Sequence, residues 1–172
     1  MTAWTVYESP LGPLTLTGGP GGLTGLWFPG RSGPLDEAAH DEAPFAEAIA
    51  QLEAYFGGTA TSFDLALDLR GTSFQQQVWE LLRGIPHGAT RTYGSLALAL
   101  GRGDRVRAVG AAVGRTPVPI IVPCHRVIGA NGDLTGYGGG LHRKRALLDL
   151  EAAVAGGEPL PEVWRGRQMS LL

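Results

Sequence analysis

The sequence predicts a two-domain α/β protein, an α+β unit followed by a mostly helical one. Three observations carry this. Short runs of Thr, Val, Leu and aromatics broken by turns fill 3–28, the periodicity turns helical from Gly71 onward, and the charge changes sign between the two parts. Residues 1–69 hold nine acids and one base, Arg31, whereas 70–151 hold ten arginines, Lys144 and five acids. A chain of 172 residues, 44% hydrophobic and 17% charged, is long enough for two small domains.

The elements follow in order. In "WTVYESPLGPLTLTGGPGGLTGLWF", strand-like runs alternate with Pro-Leu-Gly and Gly-Gly-Pro-Gly-Gly turns. Residues 29–43 form an acidic loop. From Pro44 to Phe56 a helix puts Phe45, Ile49, Leu52 and Phe56 on one face, and Gly57-Gly58 stops it. "SFDLALDL" alternates like a further strand.

At Gly71 the pattern changes. Thr72 stands three residues before Gln75, a capping box that opens a helix whose Phe74, Val78, Leu81 and Leu82 share a face. Pro86 closes that stretch, and "TYGSLALALG" reads as a short helix ending at Gly101. Arg102-Gly103-Asp104 makes a turn, with Asp104 as N-cap of a helix over "RVRAVGAAVGR". Two short helices across a tight turn form a helix-turn-helix pattern, which also occurs in packed bundles. On the second helix Val106, Val109 and Val113 form an inward stripe. The opposite face offers Arg107, Ala108, Ala111 and Arg115. Small residues let a backbone lie close to a groove, and arginines reach phosphates or bases. Seven arginines between Arg83 and Arg126, against Asp104 alone, place a polyanion on this half.

One cysteine excludes an internal disulfide framework and fits a reducing compartment. The four histidines are scattered, so no zinc site is predicted. The N-terminus has no basic region leading into an apolar run, and no stretch has the length of a membrane span. The chain reads as a soluble cytoplasmic protein.

The cysteine stands in "PVPIIVPCHRVIG". Alone, a buried cysteine is more often an inert core residue. Here Pro123 fixes the backbone before Cys124, and the glycines of "GANGDLTGYGGG" allow close approach of a ligand. A nucleophilic thiol needs a proton acceptor or a positive field. His125 is adjacent, but neighbours on a strand face opposite ways, so a bridging water is the expected link. In "LHRKRALLDLE", Leu141, Leu147, Leu148 and Leu150 form an apolar stripe with Glu151 in its midst. A carboxylate there is costly unless paired, and pairing it with His125 satisfies both.

The string "PIIVPCHRVIG", with "LTGYGGGLHRKRALLDLE" after it and "GTSFQQQVWELLRGIPHGATRTYGSLA" and "RAVGAAV" before it, resembles the methylated-DNA–protein-cysteine methyltransferases, the O6-alkylguanine-DNA alkyltransferases. The likeness is almost continuous over 71–151 and looser over 1–70. It implies a ribonuclease-H-like N-terminal domain over 1–69, a winged-helix-like DNA-binding domain over 70–151, and an extension over 152–172 that is a helix end and tail. It also implies a monomer that needs no cofactor and acts on double-stranded DNA containing O6-alkylguanine or O4-alkylthymine.

By the same resemblance, Cys124 attacks the alkyl carbon, His125 acts through water as base, Glu151 polarises His125, and Tyr93 hydrogen-bonds the guanine and protonates the leaving base. Arg107 would fill the place of the base rotated out of the duplex. Thr92, Tyr93, Ala108, Ala111, Arg115 and Arg126 would lie along the DNA. Backbone groups of Cys124 and Val127 would read the guanine edge. Thr116, Pro119, Tyr137 and Gly138 would line the pocket, whose glycines leave room for substituents larger than methyl.

Two departures stand out. Most family members have asparagine where this chain has Thr116, and the cysteines of the N-terminal zinc site found in some members are absent. Two rival readings have less support. A lesion-binding module that transfers nothing would not need Cys124, and a cysteine hydrolase would need an oxyanion hole that no motif supplies.

Overall fold

The computed structural model describes residues 2–31, 35 and 38–160. Strands β1 (Ala3–Ser9), β2 (Gly12–Gly19) and β3 (Gly22–Trp27) form an antiparallel meander, and the short β4 (Ala39–His40) joins β1 in parallel, giving the order β3-β2-β1-β4. The first hairpin is fixed locally. Ser9 Oγ donates to the Gly12 carbonyl at 2.6 Å and accepts from the Leu11 amide at 3.0 Å. Strand alternation then sends Leu14 and Leu16 to the buried face. Against that face packs α1 (Ala46–Phe56), preceded by one 3-10 turn, with Phe45, Leu52 and Phe56 buried.

The expected strand over "SFDLALDL" does not form. Residues 62–69 have no regular secondary structure beyond one isolated bridge from Leu67 to Leu23. The alternation was real but served packing: Phe63, Leu65, Leu67 and Leu69 lie half-buried against the core.

Helix α2 (Ser73–Arg83) opens on the Thr72–Gln75 capping box, with both reciprocal hydrogen bonds formed. Next come β5 (Arg91–Thr92), α3 (Tyr93–Ala99) and α4 (Val106–Gly114), then β6 (Val127–Ile128), which pairs with β5, and α5 (Leu141–Ala155). Two details of α4 correct the sequence reading. Its N-cap is Arg105, with no side-chain cap, so Asp104 does not serve as one. Val109 and Val113 are buried, but Val106 is 39% exposed and faces a cavity. Leu141 likewise leaves the expected apolar stripe of α5, at 51% exposure.

The core falls into two clusters that do not follow the chain. One joins the sheet and α1 to Val118, Ile120 and Ile121 and to Leu147 and Leu150 of α5. The other gathers α2, α3 and α4 around Val122, Cys124 and Val127. The cysteine segment therefore crosses the seam between them. Among the described residues, no helix is long and apolar enough to cross a membrane. Trp164 and the terminal leucines lie outside the described residues.

Candidate active site

The backbone leading to Cys124 is unusual at two places. Ile120 has φ 74°, a region β-branched residues avoid, and is held there by complete burial of its side chain. At Pro123 (φ −80°, ψ 62°) the Cys124 amide donates back to the Val122 carbonyl at 2.7 Å, an inverse γ-turn. Cys124, His125 and Arg126 then form a single 3-10 turn rather than a strand. Cys124 borders a cavity of about 900 Å³, whereas the His125 side chain is buried and turned to Glu151.

Glu151 is the hub. Its Oε2 accepts from His125 Nε2 at 2.6 Å, Tyr55 Oη at 2.6 Å and Arg126 Nη2 at 2.9 Å. Its Oε1 accepts from Arg126 Nε at 2.8 Å and the Gly88 amide at 3.2 Å. Burial opposes the charge, but hydrogen bonds from His125 and Arg126 hold the carboxyl well below the usual range. Because Glu151 takes the Nε2 proton as acceptor, neutral His125 carries its lone pair on Nδ1. That Nδ1 is buried and has no hydrogen-bond partner among the described residues. Burial keeps the imidazole below its ordinary value, with Glu151 opposing and Arg126 and Lys144 adding to the depression.

Burial pushes the Cys124 thiol up to about 11, while the Thr116 hydroxyl, the Lys144 charge and the Tyr137 hydroxyl act to lower it. A thiol that weakly acidic is idle at neutral pH without a base. Lys144 is fully buried; its Nζ donates to the Leu134 carbonyl, and burial lowers it to about 8 with Cys124 opposing.

Around the cavity stand Arg70, Tyr93, Arg107, Arg115, Thr116, Pro119, Tyr137 and Gly138, joined from the N-terminal domain by Trp27, Phe28 and Arg31. Tyr93 opens α3 with its hydroxyl 3.0 Å from Thr135 Oγ1. Thr92 is the N-cap of that helix. Ala111 is exposed and Ala108 half-buried on α4. Gly139 is required by close approach, since a Cβ there would meet the Phe28 ring at 2.8 Å.

One expectation needs correcting. Arg126 is no DNA contact: it is buried, forked onto Glu151, with Nη1 donating to the Ile85 carbonyl at 2.6 Å. A guanidinium so enclosed has no face left for a phosphate. Val127 has a fully buried side chain outside the cavity lining, and its amide donates to the Cys124 carbonyl. Sequence reasoning missed Tyr55 and Lys144. The signal for Lys144 was its type, a lone lysine among thirteen arginines.

The comparisons with known proteins cover nearly the whole chain. The family model described as 6-O-methylguanine DNA methyltransferase, DNA binding domain, matches residues 73–153, and its ribonuclease-like domain matches residues 2–69. The chain belongs to the 6-O-methylguanine DNA methyltransferase family. By family it is a transferase of DNA repair, with a ribonuclease-like unit followed by a DNA-binding unit. It is 51% identical to the methylated-DNA–protein-cysteine methyltransferase of Mycobacterium tuberculosis over 161 residues, covering 90% of this chain and 95% of that one. The Methanosarcina acetivorans member is 48% identical over 153 residues, covering 87% and 98%. Among solved structures, Mycobacterium tuberculosis OGT in complex with DNA superposes with a TM-score of 0.85 at 49% identity, covering 95% of this chain and 99% of that one.

Proposed function

We propose that this member of the 6-O-methylguanine DNA methyltransferase family removes the alkyl group from O6-alkylguanine, and from O4-alkylthymine, in duplex DNA and keeps it on Cys124. One observation carries the reading. The chain's sole cysteine borders a cavity rimmed by Arg31, Arg70, Arg107 and Arg115, and the next residue is a buried histidine whose Nδ1 has no hydrogen-bond partner among the described residues.

The chemistry follows from that arrangement. His125 Nδ1 takes the Cys124 proton through a water, and Lys144 steadies the thiolate. Sulfur forms a bond to the alkyl carbon as the carbon–O6 bond breaks. The bonding pair stays with the base, which takes a proton from the Tyr93 side. The thioether has no hydrolytic exit, so each chain reacts once, as a monomer without a cofactor. Cys124 is only 6% exposed, so a stacked base cannot reach it. The nucleotide is rotated into the cavity, with Arg107 filling the gap and the other arginines holding phosphates. Ala108 and Ala111 let α4 lie close to the groove.

The test counts lesions. An oligonucleotide duplex containing O6-methylguanine, in excess over protein, should be restored to guanine up to a plateau of one lesion per chain. Continued turnover, or none, would contradict the reading.

Thr116 gives a second expected outcome. Its hydroxyl donates to the Val113 carbonyl at 2.7 Å and also bears on the Cys124 thiol, so a single proton is divided between the two. Thr116→Asn supplies two N–H donors, so the single-turnover rate should be unchanged or higher. A large loss would show that this position braces the loop through its β-branched stem.

A further inference from the structure

Tyr55 belongs to the N-terminal domain, yet its hydroxyl ends in the relay beside Cys124. The side chain is buried on α1, its ring edge-on to Phe56 and His87 at centroid separations of 5.3 and 5.9 Å. Its O–H donates to Glu151 Oε2 at 2.6 Å, the same oxygen that accepts from His125 Nε2 at 2.6 Å. The two residues are 96 positions apart, so only the folded interface brings them together. Burial and the Glu151 charge raise the phenol well above 10.0, which keeps it a donor at working pH.

We propose that Tyr55 is a positioning residue of the transfer reaction: its hydroxyl holds Glu151 Oε2 and thereby sets how strongly His125 draws the proton of Cys124. This rests on the reading of Cys124 as the alkyl acceptor. The charge on a carboxylate oxygen is shared among its donors, and each donor weakens the pull on the others. With Tyr55 and Arg126 on Oε2, less charge is left for the Nε2–H of His125, and the imidazole stays neutral with Nδ1 open. Without the Tyr55 donor, the imidazole holds a proton more firmly and the thiol gives its proton up at lower pH.

Tyr55 shares that task with the cations beside the pair, so removing it takes away a part of the effect. Arg126 and Lys144 both disfavour a protonated His125, and Cys124 and Tyr137 lie on the cavity side. His87, which feels Glu151 and Arg126, is held below its ordinary value by burial. The N-terminal domain would thus act as a brake on the reactivity of a thiol that must await a lesion.

The test reads Cys124 without DNA. The rate of alkylation by iodoacetamide is followed against pH in the full chain, as wild type and as Tyr55→Phe; with one cysteine, the signal is Cys124 alone. The midpoint is expected to fall by about half a pH unit in Tyr55→Phe, because only part of one hydrogen bond's effect passes through Glu151. A uniform loss of rate with an unmoved midpoint would mean a packing role and would overturn the proposal, as would an unchanged profile. A second variant carrying 3-fluorotyrosine at position 55, a stronger donor of the same shape, is expected to shift the midpoint upward. A downward shift there would also overturn it. The lesion-restoration assay is run in parallel, so that a failure of the functional reading, a wild-type chain that spares O6-methylguanine, is told apart from a failure of this proposal, a midpoint that Tyr55→Phe does not move.

Discussion

Glu151→Gln is expected to slow alkyl transfer at pH 7 by about 10²- to 10³-fold and to destabilise the fold by about 3–5 kcal/mol. The carboxylate faces five donors: Tyr55, His125, two from Arg126, and the Gly88 amide. A glutamine amide offers one acceptor oxygen and turns its own N–H groups on donors. Arg126 is then left buried without its counter-charge, and His125 loses the acceptor that fixes its tautomer. The pH dependence has a definite sign. The folded carboxyl sits below its ordinary value, so its stabilisation is complete above about pH 5 and is lost as pH falls toward the depressed value. The stability gap between wild type and Glu151→Gln, from denaturant unfolding, should therefore be full at neutral pH and shrink below about pH 4. A gap that stays flat down to pH 3, or a variant that reacts at the wild-type rate, would remove Glu151 from the relay.

Lys144→Met should separate reactivity from stability. The ammonium is fully buried and helps bring the Cys124 thiol down from the level burial alone would set. Losing a nearby opposite charge commonly raises such a group by one unit or more, so transfer at pH 7 should slow by about 10- to 100-fold. Stability should move the other way or hold. Burial lowers Lys144 to about 8, so the folded state bears a charge-burial cost below that pH. The cost fades as pH rises toward the value of a free lysine, about 10.4. Lys144→Met is thus expected to melt no lower than wild type at pH 7 and to lose any advantage near pH 10. Full reactivity in this variant would mean that the thiolate does not depend on Lys144.

What the sequence revealed depended on how local the cause was. The hairpins of 3–27 were legible because Ser9 and the glycines close their turns within a few residues, and the Thr72–Gln75 box is a four-residue device. Cys124, His125 and Glu151 were singled out because their types are costly or reactive where they stand. The facing of Val106 was not legible, because a cavity rather than helical period decides what it meets. Arg126 looked like a phosphate contact because arginine is usually exposed; its partner lies 25 residues on, on another element. Tyr55 was hidden by a face assignment that gave α1 to Phe45, Ile49, Leu52 and Phe56. A buried tyrosine needs a partner for its hydroxyl, but nothing local names Glu151.

The most direct test of the central claim is the mass of the intact protein after mixing with a duplex containing O6-methylguanine, with Cys124→Ser in parallel. The expected result is a gain of one methylene per chain, confined on digestion to the peptide bearing Cys124 and absent from Cys124→Ser. A methyl group on any other residue, or tight binding of the lesion with no change in mass, would contradict the assignment of Cys124 as the acceptor.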